Sequence, residues 1–212
     1  MDNDPSPFGV WQPWSVHEVA MLFSSVTVPW WIAGGWALDL FLGIQTREHE
    51  DIDVQILRRD QHAIRGLLQT WDMQAAHHIT HQDAWPFRAW EAGTVLSFDV
   101  HDIWCRPSKT DPWALQLMFA ETDRDHWQFR RDARIVRPLT TLGSRTEDGI
   151  PYLAPEIQLL YKAKEPRPKD EADFFRTLPW LDSERRSWLT QALSLVHPGH
   201  RWLRWLEGSS SV

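Results

Sequence analysis

Apolar positions along the chain change period several times, and each change marks the edge of a short element. Ser15 and Glu18 make a capping box ahead of Val19, Leu22 and Phe23, which predicts a first helix from about Val16 to Val26. "PWWIA" then reads as a short buried strand. Gly34 and Gly35 form a turn, and Ala37, Leu38, Phe41 and Leu42 give a helical stripe that Gly43 stops. A strand is expected from Asp51 to Leu57, followed by a helix from about Asp60 to Trp71. From Gln74 to about Val136 the β-rich segments "FRAW", "TVLSFDVHDIW" and "ALQLMFA" dominate, separated by turn signals such as "RPSKTDP". Pro155 opens a helix through Lys162, "KEPRPK" breaks it, and Trp188, Leu189, Ala192, Leu193 and Val196 mark the last clear helical face. A mixed α/β region over residues 1–145, with 1–9 expected to be disordered, therefore precedes a helical region over 146–212 that ends in a flexible tail, 208–212.

Composition narrows what such a chain can do. At 212 residues it can bury a sizeable core, and its formal charge of −7 gives no general attraction to nucleic acid or to an anionic membrane. Small or locally captured substrates fit better. Cys105 is the only cysteine, which excludes an internal disulfide and agrees with a reducing compartment. The start "MDNDPSPFG" carries acids and prolines where a secretory signal needs basic and then apolar residues. The longest early uncharged run stops at Asp39, far short of the ~20 apolar residues of a membrane span. A cytoplasmic, soluble protein is expected.

The chemistry gathers around two aspartates at the start of a buried strand. Side chains alternate across a strand, so Ile52, Val54 and Ile56 share one face while Asp51, Asp53 and Gln55 share the other. Two carboxylates on one face repel unless a cation lies between them. Hard oxygen ligands of this kind suit Mg²⁺, which takes one or two protein carboxylates and fills its shell with water and substrate phosphates. The Gly34–Gly35 turn supplies the complementary half: glycines let backbone approach a phosphate, and free N–H groups at the start of a helix attract an anion. If "LSFDVHDIW" is a strand, Leu96, Phe98 and Val100 form its apolar face and Asp99 repeats the arrangement of Asp51 and Asp53. Asp102 has the parity of the apolar face and serves only if the strand ends before it. Three other features are weaker. His77, His78 and His81 could form a metal cluster, His77 and His81 having the spacing of helical zinc ligands, but they sit in a strand-like stretch; Cys105 near His101 suggests a thiol nucleophile only superficially, and among the 15 tryptophans Trp85, Trp90, Trp104 or Trp113 could line an acceptor site.

"GGWALDLFLGIQTREHEDIDV" resembles the signature of the polymerase-β-type nucleotidyltransferase superfamily, in particular its lincosamide and aminoglycoside branch. There a Gly-Gly-Trp turn, a Thr-Arg-(Glu/Lys)-His stretch and an Asp-x-Asp strand occur in this order. "FDVH" resembles, more loosely, the later strand with the third acid, and "GIPYLAPEIQLLYKAKEPRPKDEADF" resembles the helical tail. The resemblance implies an α+β nucleotidyltransferase fold, with a mixed β-sheet flanked by helices and a small C-terminal helical region. It also implies transfer of a nucleoside monophosphate from an NTP to the hydroxyl of a small acceptor, with two Mg²⁺ ions. Asp51, Asp53 and Asp99 are then the metal-binding and catalytic set. Gly34, Gly35, Trp36, Arg47, His49, Lys162 and Lys164 are the nucleotide-binding candidates. A protein or RNA end as acceptor, or a non-catalytic nucleotide-binding module, remain the alternatives.

Overall fold

The computed structural model describes residues 9–77 and 87–208. Its helices are α1 (Val16–Leu22), α2 (Gly34–Leu42), α3 (Gln61–Leu67), α4 (Pro155–Lys162), α5 (Pro168–Thr177), α6 (Ser183–Val196) and α7 (Leu203–Leu206). Its strands are β1 (Trp30–Ile32), β2 (Asp53–Leu57), β3 (Asp72–Ala76), β4 (Phe87–Ala89), β5 (Asp102–Arg106), β6 (Leu115–Asp123), β7 (His126–Gln128), β8 (Val136–Pro138), β9 (Gly143–Arg145) and β10 (Pro151–Leu153).

The strands form one mixed sheet in the order β4-β3-β5-β6-β2-β1-β10-β9, with β7 and β8 continuing from the far end of β6. β2 runs parallel to β6 and β1 parallel to β10, whereas β1–β2 and β5–β6 are antiparallel. The alternation expected for β2 is present: Ile52, Val54 and Ile56 are fully buried, Asp53 is half-buried and Asp51 exposed. Ile103, Cys105, Leu115 and Leu117 extend the same apolar core, to which Ile64 and Leu68 of the α3 region also belong. The opposite face of β2, β6 and β5 carries the polar residues.

Local signals act where they were read. Ser15 and Glu18 close a complete capping box on α1, with Ser15 N–H donating to Glu18 Oε2 at 2.7 Å, and Gly43 ends α2 with φ +72°. Three expectations change. The sheet does not stop at residue 145, because β10 pairs with β1 through Ile32 and Tyr152, so Thr146 falls inside the β9–β10 connection. Pro168 starts a new helix rather than only interrupting one: proline is tolerated at the first position, and Asp170 and Glu171 occupy the favourable first turn of α5. The stretch 94–101 is not strand. Val100 N–H donates to Ser97 O at 3.2 Å, closing a turn that leaves Phe98 75% exposed.

Candidate active site

The core of the site is the junction of β1, α2 and β2. Gly34 has φ +66°, a left-handed conformation, and a Cβ on it would overlap the Asp53 carboxylate. Its N–H donates to Gln158 Oε1 of α4 at 2.8 Å, so this donor is already engaged by the helical region. The N-cap residue of α2, Ala33, has no side-chain acceptor to offer its first turn. A Cβ on Gly35 would overlap the Arg47 guanidinium and the His49 ring, so the two glycines let the loop before β2 lie directly on the turn.

That loop is held from outside the cleft. Asp39 accepts from Thr46 Oγ1 at 2.6 Å and pairs with His49 Nε2 at 2.6 Å, while the His49 ring lies against Trp36 with centroids 4.4 Å apart. Trp36 and His49 thus support the turn, and neither lines the cleft beside Gly34 and Asp53. Arg47 does line it. Its guanidinium is gripped by Asp173 through Nε–Oδ1 at 3.1 Å and Nη2–Oδ2 at 3.2 Å. Lys162 Nζ, also at the cleft, lies 2.9 Å from Asp170 Oδ1 and 3.0 Å from Asp173 Oδ2. Arg47 and Lys162, two of the expected nucleotide-binding cations, therefore arrive already oriented by buried carboxylates of α5. Lys164 is exposed on the cleft wall.

Register decides the carboxylate set. Asp53 pairs with Gln116 and Gln55 with Met118 across β2–β6, while Asp102 pairs with Met118 and Trp104 with Gln116 across β5–β6. Asp53 and Asp102 therefore project from the same face, separated by β6, and Gln116 Nε2 donates to Asp102 Oδ1 at 3.2 Å. Burial, then the negative charges of Asp51 and Asp102, push the Asp53 carboxyl up to about 7, with Lys162 and Lys169 acting in the opposite sense. Asp99 is corrected by the same geometry. It lies 59% exposed in the turn, accepts from the Ser97 hydroxyl, and has His77 Nδ1 at 3.8 Å. The Ser97 hydrogen bond holds its carboxyl below the usual range. Asp102, not Asp99, shares the sheet face and the chamber of Asp53. Alternation failed as a guide because the turn at Ser97–Val100 resets the parity before β5 begins.

The cleft that contains Gly34, Gly35, Asp51 and Asp53 has a volume of about 260 Å³ and is walled by Arg130, Arg131, Gln158 and Lys162 among others. A smaller inner chamber of about 50 Å³ shares Asp53, Met118, Arg130, Gln158 and Tyr161 with it and adds Gln55, His101 and Asp102. Arg130 and Arg131 gave no signal in the sequence, since a surface pair of arginines after an aromatic is ordinary. Gln55 could have been found, as it shares the Asp53 face.

The remaining candidates separate cleanly. Burial pushes the Cys105 thiol far above its usual range, and His101 Nδ1 has no hydrogen-bond partner, so the two do not form a nucleophile–base pair. His78, His81 and Trp85 lie outside the described residues. Among the described residues no three His, Cys, Asp or Glu side chains are gathered to enclose a metal. Trp90 is buried core, while Trp104 and Trp113 pack on each other and on Trp11. No helix among the described residues is long and apolar enough to cross a membrane.

Three comparisons bear on this geometry. The family model described as aminoglycoside-2''-adenylyltransferase matches residues 15–176. A 2''-aminoglycoside nucleotidyltransferase of Klebsiella pneumoniae is 44% identical over 39 residues, 18% of this chain and 22% of that protein. A lincosamide resistance protein of Staphylococcus haemolyticus is 48% identical over 33 residues, 16% and 20% of the two chains. These curated relatives are thus matched over about a fifth of their length. In overall structure the chain is similar to ANT(2'')-Ia crystallised with adenylyl-2''-tobramycin, with a TM-score of 0.53 and 15% identity over 85% of this chain and 95% of that one. At that identity the likeness establishes the mixed-sheet nucleotidyltransferase fold.

Proposed function

Because the chain belongs to the aminoglycoside-2''-adenylyltransferase family, we propose that it transfers a nucleoside monophosphate from an NTP to a hydroxyl of a small acceptor and releases pyrophosphate. The acceptor class is that of the aminoglycosides and lincosamides for which its relatives are named. The observation that carries the proposal is the crowding of Asp53 by Asp51 and Asp102 directly beneath the Gly34 backbone.

The donor set fits Mg²⁺. Asp51 and Asp53 would hold it, with Asp102 across β6, and a divalent cation would relieve the repulsion that suppresses the Asp53 charge. Since no three protein ligands close on an ion among the described residues, water and substrate phosphates would complete the shell, as Mg²⁺ prefers. When bound, Mg²⁺ neutralises charge on the triphosphate.

The chain's own groups do the rest. Arg47 and Lys162, fixed by Asp173 and Asp170, present oriented positive charge to the phosphates at little further entropic cost. The N-terminus of α2 faces the same anion. Asp102 accepts the proton of the attacking hydroxyl. The hydroxyl oxygen then forms a bond to the α-phosphorus as the α–β bridging bond breaks, and pyrophosphate leaves with the electron pair. The test is direct: incubate the protein with Mg²⁺, each NTP, and a metabolite and antibiotic panel, and look by mass spectrometry for a nucleotidyl adduct. Nucleotide binding without any adduct across a broad panel would sink the transfer reading.

A further inference from the structure

The inner chamber contains a buried polar group that the phosphate machinery does not use. Gln55 lies on β2 two residues after Asp53 and on the same face; it is 4% exposed, yet its Nε2 has no hydrogen-bond partner. The other glutamine amides nearby are committed: Gln116 donates to Asp102 Oδ1, and Gln158 accepts from the Gly34 N–H. A buried N–H₂ left unmatched is costly, so a donor kept free in a chamber beside two carboxylates marks a place where a ligand oxygen arrives.

Register says which oxygen. Gln55 and Asp102 both pair with Met118, from opposite sides of β6, so their side chains rise from one face of the sheet across two strand spacings, roughly 10 Å between backbones. All three residues line the chamber. Its volume of about 50 Å³ takes a hydroxyl-bearing carbon and not a whole ring, so the rest of an acceptor, amines included, stays outside it. Gln116 occupies Asp102 Oδ1, which leaves Oδ2 to receive a proton. An alcohol oxygen has one proton and two lone pairs. With the proton given to Asp102 and one lone pair accepting from Gln55 Nε2, tetrahedral geometry leaves the second lone pair a single direction of attack. Asp53 lines both chambers, so an α-phosphorus held beside it lies where the two meet.

Resting on the transfer reading above, we propose that Gln55 positions the acceptor: its Nε2 donates to the reacting hydroxyl oxygen, and together with Asp102 it selects one hydroxyl of a polyhydroxylated acceptor for attack. The hydroxyl proton passes to Asp102, the free lone pair of the oxygen forms the bond to the α-phosphorus, and the α–β bridging bond breaks as pyrophosphate leaves with its electron pair. Gln55 gives up no proton in this step. It acts by direction, so the site of transfer and the use of acceptor depend on it while nucleotide binding does not.

The experiment follows the Gln55 side-chain amide itself. Its ¹⁵N–¹H signals, identified by their loss in Gln55→Met or Gln55→Leu, are recorded with Mg²⁺ and a non-hydrolysable ATP analogue while an aminoglycoside, a lincosamide or glycerol is added. They should shift with a hydroxylated compound and not with the nucleotide alone. In parallel, adducts formed from ATP are located by tandem mass spectrometry and kinetics are measured. Gln55→Met keeps the length of the side chain and removes the donor, so acceptor kcat/KM should fall about 3- to 10-fold, the usual effect of losing one neutral hydrogen bond. NTP KM should be unchanged, Tm equal or higher because the unmatched donor is gone, and the nucleotidyl group spread over more than one hydroxyl. Amide signals that none of these compounds moves, or wild-type acceptor kinetics and a single site of transfer in Gln55→Met, overturn the assignment. Adducts formed with the amide unmoved would do so and leave the transfer reading standing, whereas a shifted amide without any adduct would uphold the assignment and sink the transfer reading alone.

Discussion

Gly34 and Asp53 are so close across the β1–β2 pair that one added carbon on the glycine would overlap the aspartate's Oδ2. The turn and the carboxylate are therefore one device: the left-handed backbone at Gly34 exists where the carboxylate needs the room.

Gly34→Ala should be damaging twice over. The φ of +66° costs an L-residue about 1–2 kcal/mol, and the new methyl must displace Asp53. Turnover should fall by more than tenfold, with Tm lower by several degrees. Gly35→Val is predicted to differ. Its side chain meets Arg47 and His49, which Asp173 and Asp39 anchor, so folding should suffer first. Melting curves beside NTP titrations separate the two, and wild-type behaviour of Gly34→Ala in both would refute the close-approach argument.

Asp53→Asn should stabilise the fold and silence the site. Removing one of three crowded charges relieves repulsion, so Tm is expected to rise by about 2–4 °C in metal-free buffer, the shift that ~1 kcal/mol produces in a chain of this size. Mg²⁺-dependent NTP binding should disappear. A lower Tm with intact metal dependence would show that the carboxylate is structural.

The third carboxylate is tested by paired substitutions. Asp102→Asn should fold normally and lose about 10²–10⁴ in rate, as expected for a missing proton acceptor. Asp99→Asn, in its exposed turn, should stay within about twofold of wild type. Pyrophosphate release with a competent acceptor reads both, and the opposite ranking would mean that β5 begins earlier than described.

Asp173 joins Arg47 and Lys162, and breaking it should cost stability and nucleotide affinity together. Asp173→Ala leaves two cations short of their shared partner, so Tm should fall by several degrees and NTP KM rise about tenfold. The same group predicts acid sensitivity. Burial alone would raise its pKa, but hydrogen bonds from Arg47 and the charge of Lys162 outweigh this and hold it below the usual range. A depressed folded value means that the stabilisation is complete above the unfolded pKa of about 4 and fades as pH falls below it. Urea midpoints measured from pH 6 to pH 3 should drop less steeply in Asp173→Asn than in wild type.

What the sequence determined by itself is local. The capping box of Ser15 and Glu18, the stop at Gly43, the helix opened by Pro155 and the alternation through Ile52, Val54 and Ile56 all act within a few residues, where propensity and parity operate directly. The Asp51–Asp53 pair and the two glycines were legible for the same reason. Everything that makes them a site comes from elsewhere in the chain. Asp102 joins Asp53 only because β2 and β5 flank β6 in a particular register, and no count along the sequence foretells that a turn at Ser97 shifts the parity. Arg47 and Lys162 look like phosphate cations or solvated charges with equal ease until α5 brings Asp170 and Asp173 between them. Trp36 and His49 sit in the motif yet do not line the cleft, the imidazole being held by Asp39 and packed near Trp36. Gln55, His101 and Arg130 converge from three separate stretches, since pairing and packing between distant segments, not neighbourhood in the chain, decide which polar groups share one chamber.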